Sequence, residues 1–159
     1  MSEPLDEIVL DSSSPGGTRA IGERLGALLE PGDVVVLEGD LGAGKTTFTQ
    51  GLARGMGIAE PITSPTFVLA RELGIGHAVT PLTHVDAYRV GSLEEWDDLD
   101  LDFETTAVVI EWGERVARAL PQHRVHVQLE GDGDTRRIHV FAPDHVAHRL
   151  VRAMQDSVL

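Results

Sequence analysis

The sequence predicts an α/β fold: three layers, with a mostly parallel central sheet between helices and a β-hairpin appended at the C-terminal end. Three observations lead there. The runs VVVLEG (34–39) and AVVIEW (107–112) are almost continuously apolar, as strands buried on both faces are. Segments with helical spacing alternate with the strands. Near the C-terminus, RVHVQLE and RRIHVFA alternate with period two on either side of Gly131-Asp132-Gly133-Asp134, the pattern of a hairpin.

Taken in order, residues 7–12 (EIVLDS) read as a short edge strand. The turn-rich DSSSPGGT supplies Ser14 or Thr18 as the cap of a helix whose apolar residues are Ile21, Leu25, Leu28 and Leu29; Pro31-Gly32 ends it. After the strand at 34–39 comes a glycine-rich turn, then a helix from Lys45 to Met56 closed by Gly57. Residues 66–72 and 82–90 read as strands joined by the loop from Gly74 to Pro81. A short acidic helix runs from Ser92 to Asp98, and the strand at 107–112 precedes a helix at 114–120 that Pro121 stops. An amphipathic helix covers 143–157. No internal repeat or linker interrupts this order, so residues 1–159 read as a single domain.

Composition narrows the function. With 26 acidic against 13 basic residues the net charge is −13, a surface that repels a nucleic-acid backbone unless a basic partner holds it. There is no cysteine, hence no disulfide and no thiolate metal site. No apolar run approaches the ~20 residues of a membrane span, and the acidic N-terminus lacks the pattern of a secretory signal, which points to the cytoplasm without membrane attachment. Twelve of the bases are arginine; the one lysine, Lys45, lies inside the strongest motif of the chain.

That motif is Gly39-Asp40-Leu41-Gly42-Ala43-Gly44-Lys45-Thr46, which fits G-x-x-x-x-G-K-[ST] at every fixed position. The glycines let the backbone wrap an anion with its amides turned inward, and the helix beginning at Lys45 adds its positive end. An ammonium at Lys45 reaches the β- and γ-phosphates, and the Thr46 hydroxyl ligates Mg²⁺. The nucleotide-binding set is therefore Leu41, Gly42, Ala43, Gly44, Lys45, Thr46 and Thr47, with ATP and Mg²⁺ as cofactors and a P-loop ATPase domain as the fold. ATP is favoured over GTP because no Asn-Lys-x-Asp element is present.

Such a site needs a carboxylate at the end of a neighbouring strand, and Glu111 and Asp86 both qualify. Their ordinary alternatives are a solvated strand end for Glu111, and for Asp86 an ion pair with Arg89 or a turn cap. Thr63-Ser64-Pro65-Thr66-Phe67, rich in hydroxyls, reads as a switch loop near the γ-phosphate or as a plain turn into a strand. Asp98-x-Asp100-x-Asp102 lacks the glycine and final glutamate of a Ca²⁺ loop and reads as a solvated acidic face. The seven histidines show no zinc spacing and read as surface or strand-face residues.

GDLGAGKTTFTQGLARGMG, ITSPTFVL, HVDAYRV and VVIEWGERV, in that order and spacing, resemble the bacterial TsaE (YjeE) family, and the resemblance runs from Asp11 to Leu129. It implies an ATPase, weakly active alone, that supports threonylcarbamoylation of adenosine 37 in tRNAs reading codons that begin with A. It works there with the TsaD–TsaB heterodimer and meets tRNA only through that complex. By motif, Lys45 binds phosphate, Thr46 and Glu111 ligate Mg²⁺, Asp86 takes the family's acidic catalytic or metal-linked position, and Thr66 belongs to the first switch. Trp112 becomes an aromatic beside the nucleotide or partner surface, and residues 13–18 fall at the adenine-side loop. One departure is Asp98-Leu99-Asp100, where the family commonly places a glycine after the acidic helix. The alternatives are a small ATP-dependent kinase and a nucleotide-gated binding module.

Overall fold

In the computed structural model, residues 6–158 are described apart from 41, 63–69, 77, 79, 89, 132 and 144–147, and apart from the side chains of 113–115, 157 and 158. The strands are β1 (Glu7–Ser12), β2 (Val34–Glu38), β3 (Ala70–Leu73), β4 (Leu82–Asp86), β5 (Ala107–Glu111), β6 (Val125–Glu130) and β7 (Arg136–Phe141). They form one seven-stranded sheet in the order β1-β7-β6-β2-β5-β4-β3. Its centre, β6-β2-β5-β4, is parallel, and β3, β7 and β1 join antiparallel. The C-terminal hairpin is thus part of the same sheet: β6 lies directly against β2, with Leu37 opposite Val127.

The central apolar runs bury side chains on both faces. Val35 and Leu37 pack with Leu25, Phe48, Leu52 and Met154, from helices α1 (Pro15–Gly26), α2 (Lys45–Gly55) and α4 (Arg149–Val158). Val34 and Val36 pack on the other side with Trp96 of α3 (Leu93–Asp98) and with Val116 of the 3₁₀ segment Gly113–Ala119. Each fully buried residue of this kind contributes roughly 1.5–3 kcal/mol.

Helix α1 starts where Ser14 accepts the Gly17 amide at 3.0 Å, with Pro15 at its first turn, so Ser14 is the cap and Thr18 instead bonds Ser12 at 2.9 Å. Helices α1 and α2 meet through facing glycines. A Cβ on Gly26 would lie 2.0 Å from the Leu52 carbonyl oxygen, and one on Gly51 2.0 Å from that of Arg19. This close approach sets where α2, and the loop feeding it, sit over the sheet.

Several boundaries differ from expectation. Strand β4 stops at Asp86 rather than continuing to residue 90, because the Asp86 carboxylate accepts the Tyr88 amide at 2.9 Å and turns the chain. The helix expected at 114–120 is a 3₁₀ segment with Val116 off helical geometry (φ −121°). Helix α4 spans Arg149–Val158, and the expected strand at 66–72 is described only from Ala70 onward. Helix α3 is closed at its start by two side-chain bonds: Ser92, the N-cap, accepts the Glu95 amide at 3.1 Å, and Glu95 accepts that of Gly91, the residue before the cap, at 2.8 Å. Beyond it Asp100 takes φ +48°, so an aspartate occupies the left-handed conformation that a glycine would adopt freely. No described helix is long and apolar enough to cross a membrane.

Candidate nucleotide site

The parallel register brings the ends of three strands together. Leu37 of β2 lies opposite Glu111 of β5, and Glu111 lies opposite Asp86 of β4. Gly39 to Gly44 leave β2 at this edge and enter α2. Three of these residues have left-handed backbones: Gly39 at φ +153°, Gly42 at +81° and Gly44 at +101°. At Gly39 the requirement is also spatial, since a Cβ there would lie 2.7 Å from the Leu129 carbonyl oxygen. Among the described residues no side-chain cap bond closes the start of α2, whose N-cap is Gly44. An uncapped helix start behind a glycine loop offers amides and a positive dipole end to an anion.

Lys45 is the first residue of α2 and is 7% exposed. Its Nζ donates to the Gly39 carbonyl at 2.5 Å and stands 3.7 Å from the centroid of the Trp112 ring. The cation–π contact and the carbonyl hold the ammonium against the loop. Trp112 follows β5 with a left-handed backbone (φ +61°), which swings its ring toward Lys45. Tyr88 packs against that ring at 5.1 Å between centroids, tilted by 56°. Trp112 is therefore half-buried and in contact with the loop's lysine, rather than a core tryptophan; Trp96 takes that role.

Glu111 is only 4% exposed, so it is no solvated strand end. Its Oε2 lies 2.8 Å from Nε2 of His84, itself 1% exposed. A buried carboxylate is costly unless hydrogen-bonded or beside a cation. Asp86 acts as the turn cap already described; Arg89, its other suggested partner, lies outside the described residues. Thr46 and Thr47 are half-buried in the first turn of α2, beside buried Ala43 and Lys45. Leu41 and Thr66 lie outside the described residues, as does the segment 63–67. The donor set suits Mg²⁺ and a polyphosphate: a hydroxyl on Thr46, carboxylates on Glu111 and Asp86, and an ammonium on Lys45 beside backbone amides.

A second polar group borders the loop. Glu38, the last residue of β2, bonds His126 Nδ1 and accepts from Gln128 Nε2 at 2.8 Å. Burial raises its carboxyl pKa, but those bonds and the charges of His126 and Arg124 outweigh it and hold the group below its ordinary value. Of the histidines, His84 on β4 and His126 on β6 are strand-face residues and buried, and His148, just before α4, is buried as well. His84 stands two residues before Asp86 on one strand, a period-two signal that places both side chains on one face. In the acidic run Asp98 and Asp100 are exposed, as a solvated face requires, while Asp102 accepts the Thr105 hydroxyl and the amides of Thr105 and Glu104 at 2.8 and 2.9 Å, bonds that lower its pKa. Among the described residues no group of three acidic or histidine side chains is arranged to hold a metal on its own.

Known proteins resemble this chain in sequence and in fold. The sequence profile of the family described as threonylcarbamoyl adenosine biosynthesis protein TsaE matches residues 12–138. The tRNA threonylcarbamoyladenosine biosynthesis protein TsaE of Streptomyces coelicolor is 48% identical over 124 residues, covering 74% of this chain and 82% of that protein. Its namesake in Bacillus subtilis is 44% identical over 127 residues, covering 78% of each chain. The crystal structure of Bacillus subtilis YdiB matches with a TM-score of 0.78 over 99% of this chain and 100% of that one, at 32% identity.

Proposed function

The chain belongs to the TsaE family of threonylcarbamoyl adenosine biosynthesis proteins, and from that premise we propose that it binds and hydrolyses ATP in support of tRNA threonylcarbamoylation. In this reading the whole chain is one P-loop ATPase domain of the three-layer kind, acting in the cytoplasm. It supports modification of adenosine 37 by a TsaD–TsaB pair and meets tRNA through that pair. The observation that carries the reading is Lys45, held by the Gly39 carbonyl and the Trp112 ring at the mouth of the glycine loop.

The chain's own groups divide the work. Amides of the loop and of the first turn of α2 bind the phosphates, and Lys45 swings from Gly39 to the β- and γ-oxygens. Thr46 and Glu111 would hold Mg²⁺, which when bound neutralises charge gathering on the phosphate oxygens. Asp86, at the end of β4 beside Glu111, would orient the attacking water or back the residues that hold the metal. Trp112 and Tyr88 shield one side of the lysine from solvent. The net charge of −13 agrees with RNA being gripped by a partner instead of by this surface.

The test is ATP hydrolysis by the purified protein, alone and with a TsaD–TsaB pair plus tRNA. Stimulation by the pair, lost in Lys45→Ala, is the expected result. ATP binding that does not respond to the pair would remove the tRNA reading and leave a nucleotide site. Wild-type binding and turnover in Lys45→Ala would remove the site itself.

A further inference from the structure

Arg136 opens β7, more than 90 residues beyond the glycine loop and outside every motif above. Its guanidinium reaches four backbone carbonyls. Nε donates to Ala43 O at 2.8 Å and Nη2 to Gly42 O at 3.0 Å. Nη1 donates to Gly133 O at 2.6 Å and Thr135 O at 2.8 Å. One rigid planar fork therefore joins the phosphate loop to the turn between β6 and β7.

The two loop carbonyls matter because of peptide geometry. In a trans peptide the carbonyl oxygen and the next amide point to opposite sides. The Ala43 amide donates to Asp40 O at 2.9 Å, closing the turn inside the loop. With the Ala43 carbonyl held outward by Arg136, the Gly44 amide is turned the other way, toward the start of α2. Gly42 and Gly44 have no side chains to restrain them, and glycine loses more freedom on ordering than any other residue. A loop built this way needs an outside tether if it is to be shaped before a ligand arrives, and prior shaping is what raises affinity. Arg136 also lines a small cavity with Pro15, Thr18, Gly44, Thr47 and Asp134, so its place is against the loop and not in open solvent.

We propose that Arg136 is a positioning residue of the phosphate loop, clamping the Gly42 and Ala43 carbonyls so that the loop holds its anion-binding shape and depends on the β6–β7 turn to do so. The functional meaning of the clamp rests on the reading of this loop as an ATP site. Lysine is no substitute, since one ammonium on a flexible stem cannot hold two loop carbonyls and two turn carbonyls in a plane.

The experiment compares wild type, Arg136→Gln, Arg136→Lys and Arg137→Gln in two readouts: ADP affinity by calorimetry, and amide hydrogen exchange over residues 39–46 without nucleotide. Arg137, on the same strand, is exposed and 3.5 Å from Asp11, and serves as the control. Both Arg136 variants are expected to bind ADP roughly tenfold more weakly, as loss of charged hydrogen bonds implies, and to exchange faster in the loop. Arg137→Gln should match wild type in both. Wild-type affinity in either Arg136 variant overturns the proposal. If the wild type itself binds no ADP, the ATP reading falls, and the exchange data alone judge the clamp: unchanged loop exchange in Arg136→Lys, the milder substitution, overturns it.

Discussion

His84 Nε2 lies 2.8 Å from Glu111 Oε2, and both side chains are almost wholly withdrawn from solvent. The parallel pairing of β4 with β5 makes this contact, placing His84 two residues behind the Asp86–Glu111 register pair. An imidazole in that position fixes the carboxylate's rotamer and leaves its other oxygen for the Mg²⁺ proposed above. His84→Ala is expected to destabilise the fold by about 2–3 kcal/mol, the cost of leaving a buried partner unmatched. It should also shift the Mg²⁺ dependence of hydrolysis to higher concentration. Urea unfolding and a Mg²⁺ titration check the two effects; an unchanged Mg²⁺ profile would confine His84 to stability.

Glu111→Gln separates binding from turnover. The amide preserves volume and can still bond His84, so folding should change by less than about 1.5 kcal/mol. Without the charge, hydrolysis should fall by a factor of 100 or more, roughly 3 kcal/mol of barrier, while ADP still binds without metal. Calorimetry with and without Mg²⁺ beside a phosphate-release assay distinguishes this outcome from a folding defect.

Trp112 touches the Lys45 ammonium, whereas Trp96 is buried in α3, so the two tryptophans of the chain report different places. Adding ADP should change intrinsic fluorescence in the wild type and in Trp96→Phe but not in Trp112→Phe. Trp112→Ala, which removes the ring altogether, is expected to weaken ADP binding several-fold, in line with a cation–π contact of about 1 kcal/mol. A response that survives in Trp112→Phe would place the nucleotide elsewhere.

The glycine crossing of α1 and α2 predicts a stability effect far from any chemistry. Gly26→Ala adds a Cβ 2.0 Å from the Leu52 carbonyl oxygen, which only backbone movement can relieve. Overpacking of this kind costs about 1–3 kcal/mol, even though alanine is the better helix former. Thermal unfolding measures it, and a melting temperature at or above wild type would contradict the crossing.

His148 predicts a pH dependence. Burial chiefly lowers its pKa from the ordinary 6.5, with His123 and Arg149 adding to this while Asp33 and Asp6 oppose it. The unfolded chain then takes up a proton before the folded one, so this group's contribution to stability falls as pH drops below about 6.5 and levels off beneath the folded pKa. Melting temperatures from pH 7.5 to 5.0 should decline more steeply for wild type than for His148→Gln. Parallel slopes would show that the acid sensitivity lies elsewhere.

The elements nearest the loop were legible because their signals are local. Val34 to Leu37 are buried throughout, and the cap, glycines and apolar spacing of α1 and α2 appear within a few residues of each helix end. Boundaries set by side-chain competition were less so: Asp86 spends its carboxylate on the Tyr88 amide and ends β4 four residues early. His84 sits on a strand face, as its alternating segment suggests, but its partner was not legible, because metal spacing says nothing about an imidazole that bonds a carboxylate 27 residues away.

By itself the sequence determined a strand, a glycine loop with its lysine and threonine, and a following helix, since each rests on spacing within a dozen residues. It also named Glu111 and Asp86 as strand-end carboxylates. Only tertiary structure decided that Trp112 packs on Lys45, that His84 backs Glu111, and that Arg136 holds Gly42 and Ala43 from 94 and 93 residues away. The physical reason is range. A motif records what the backbone must do over a few bonds, whereas these contacts depend on strand order and register, through which residues distant in the chain come within hydrogen-bonding reach.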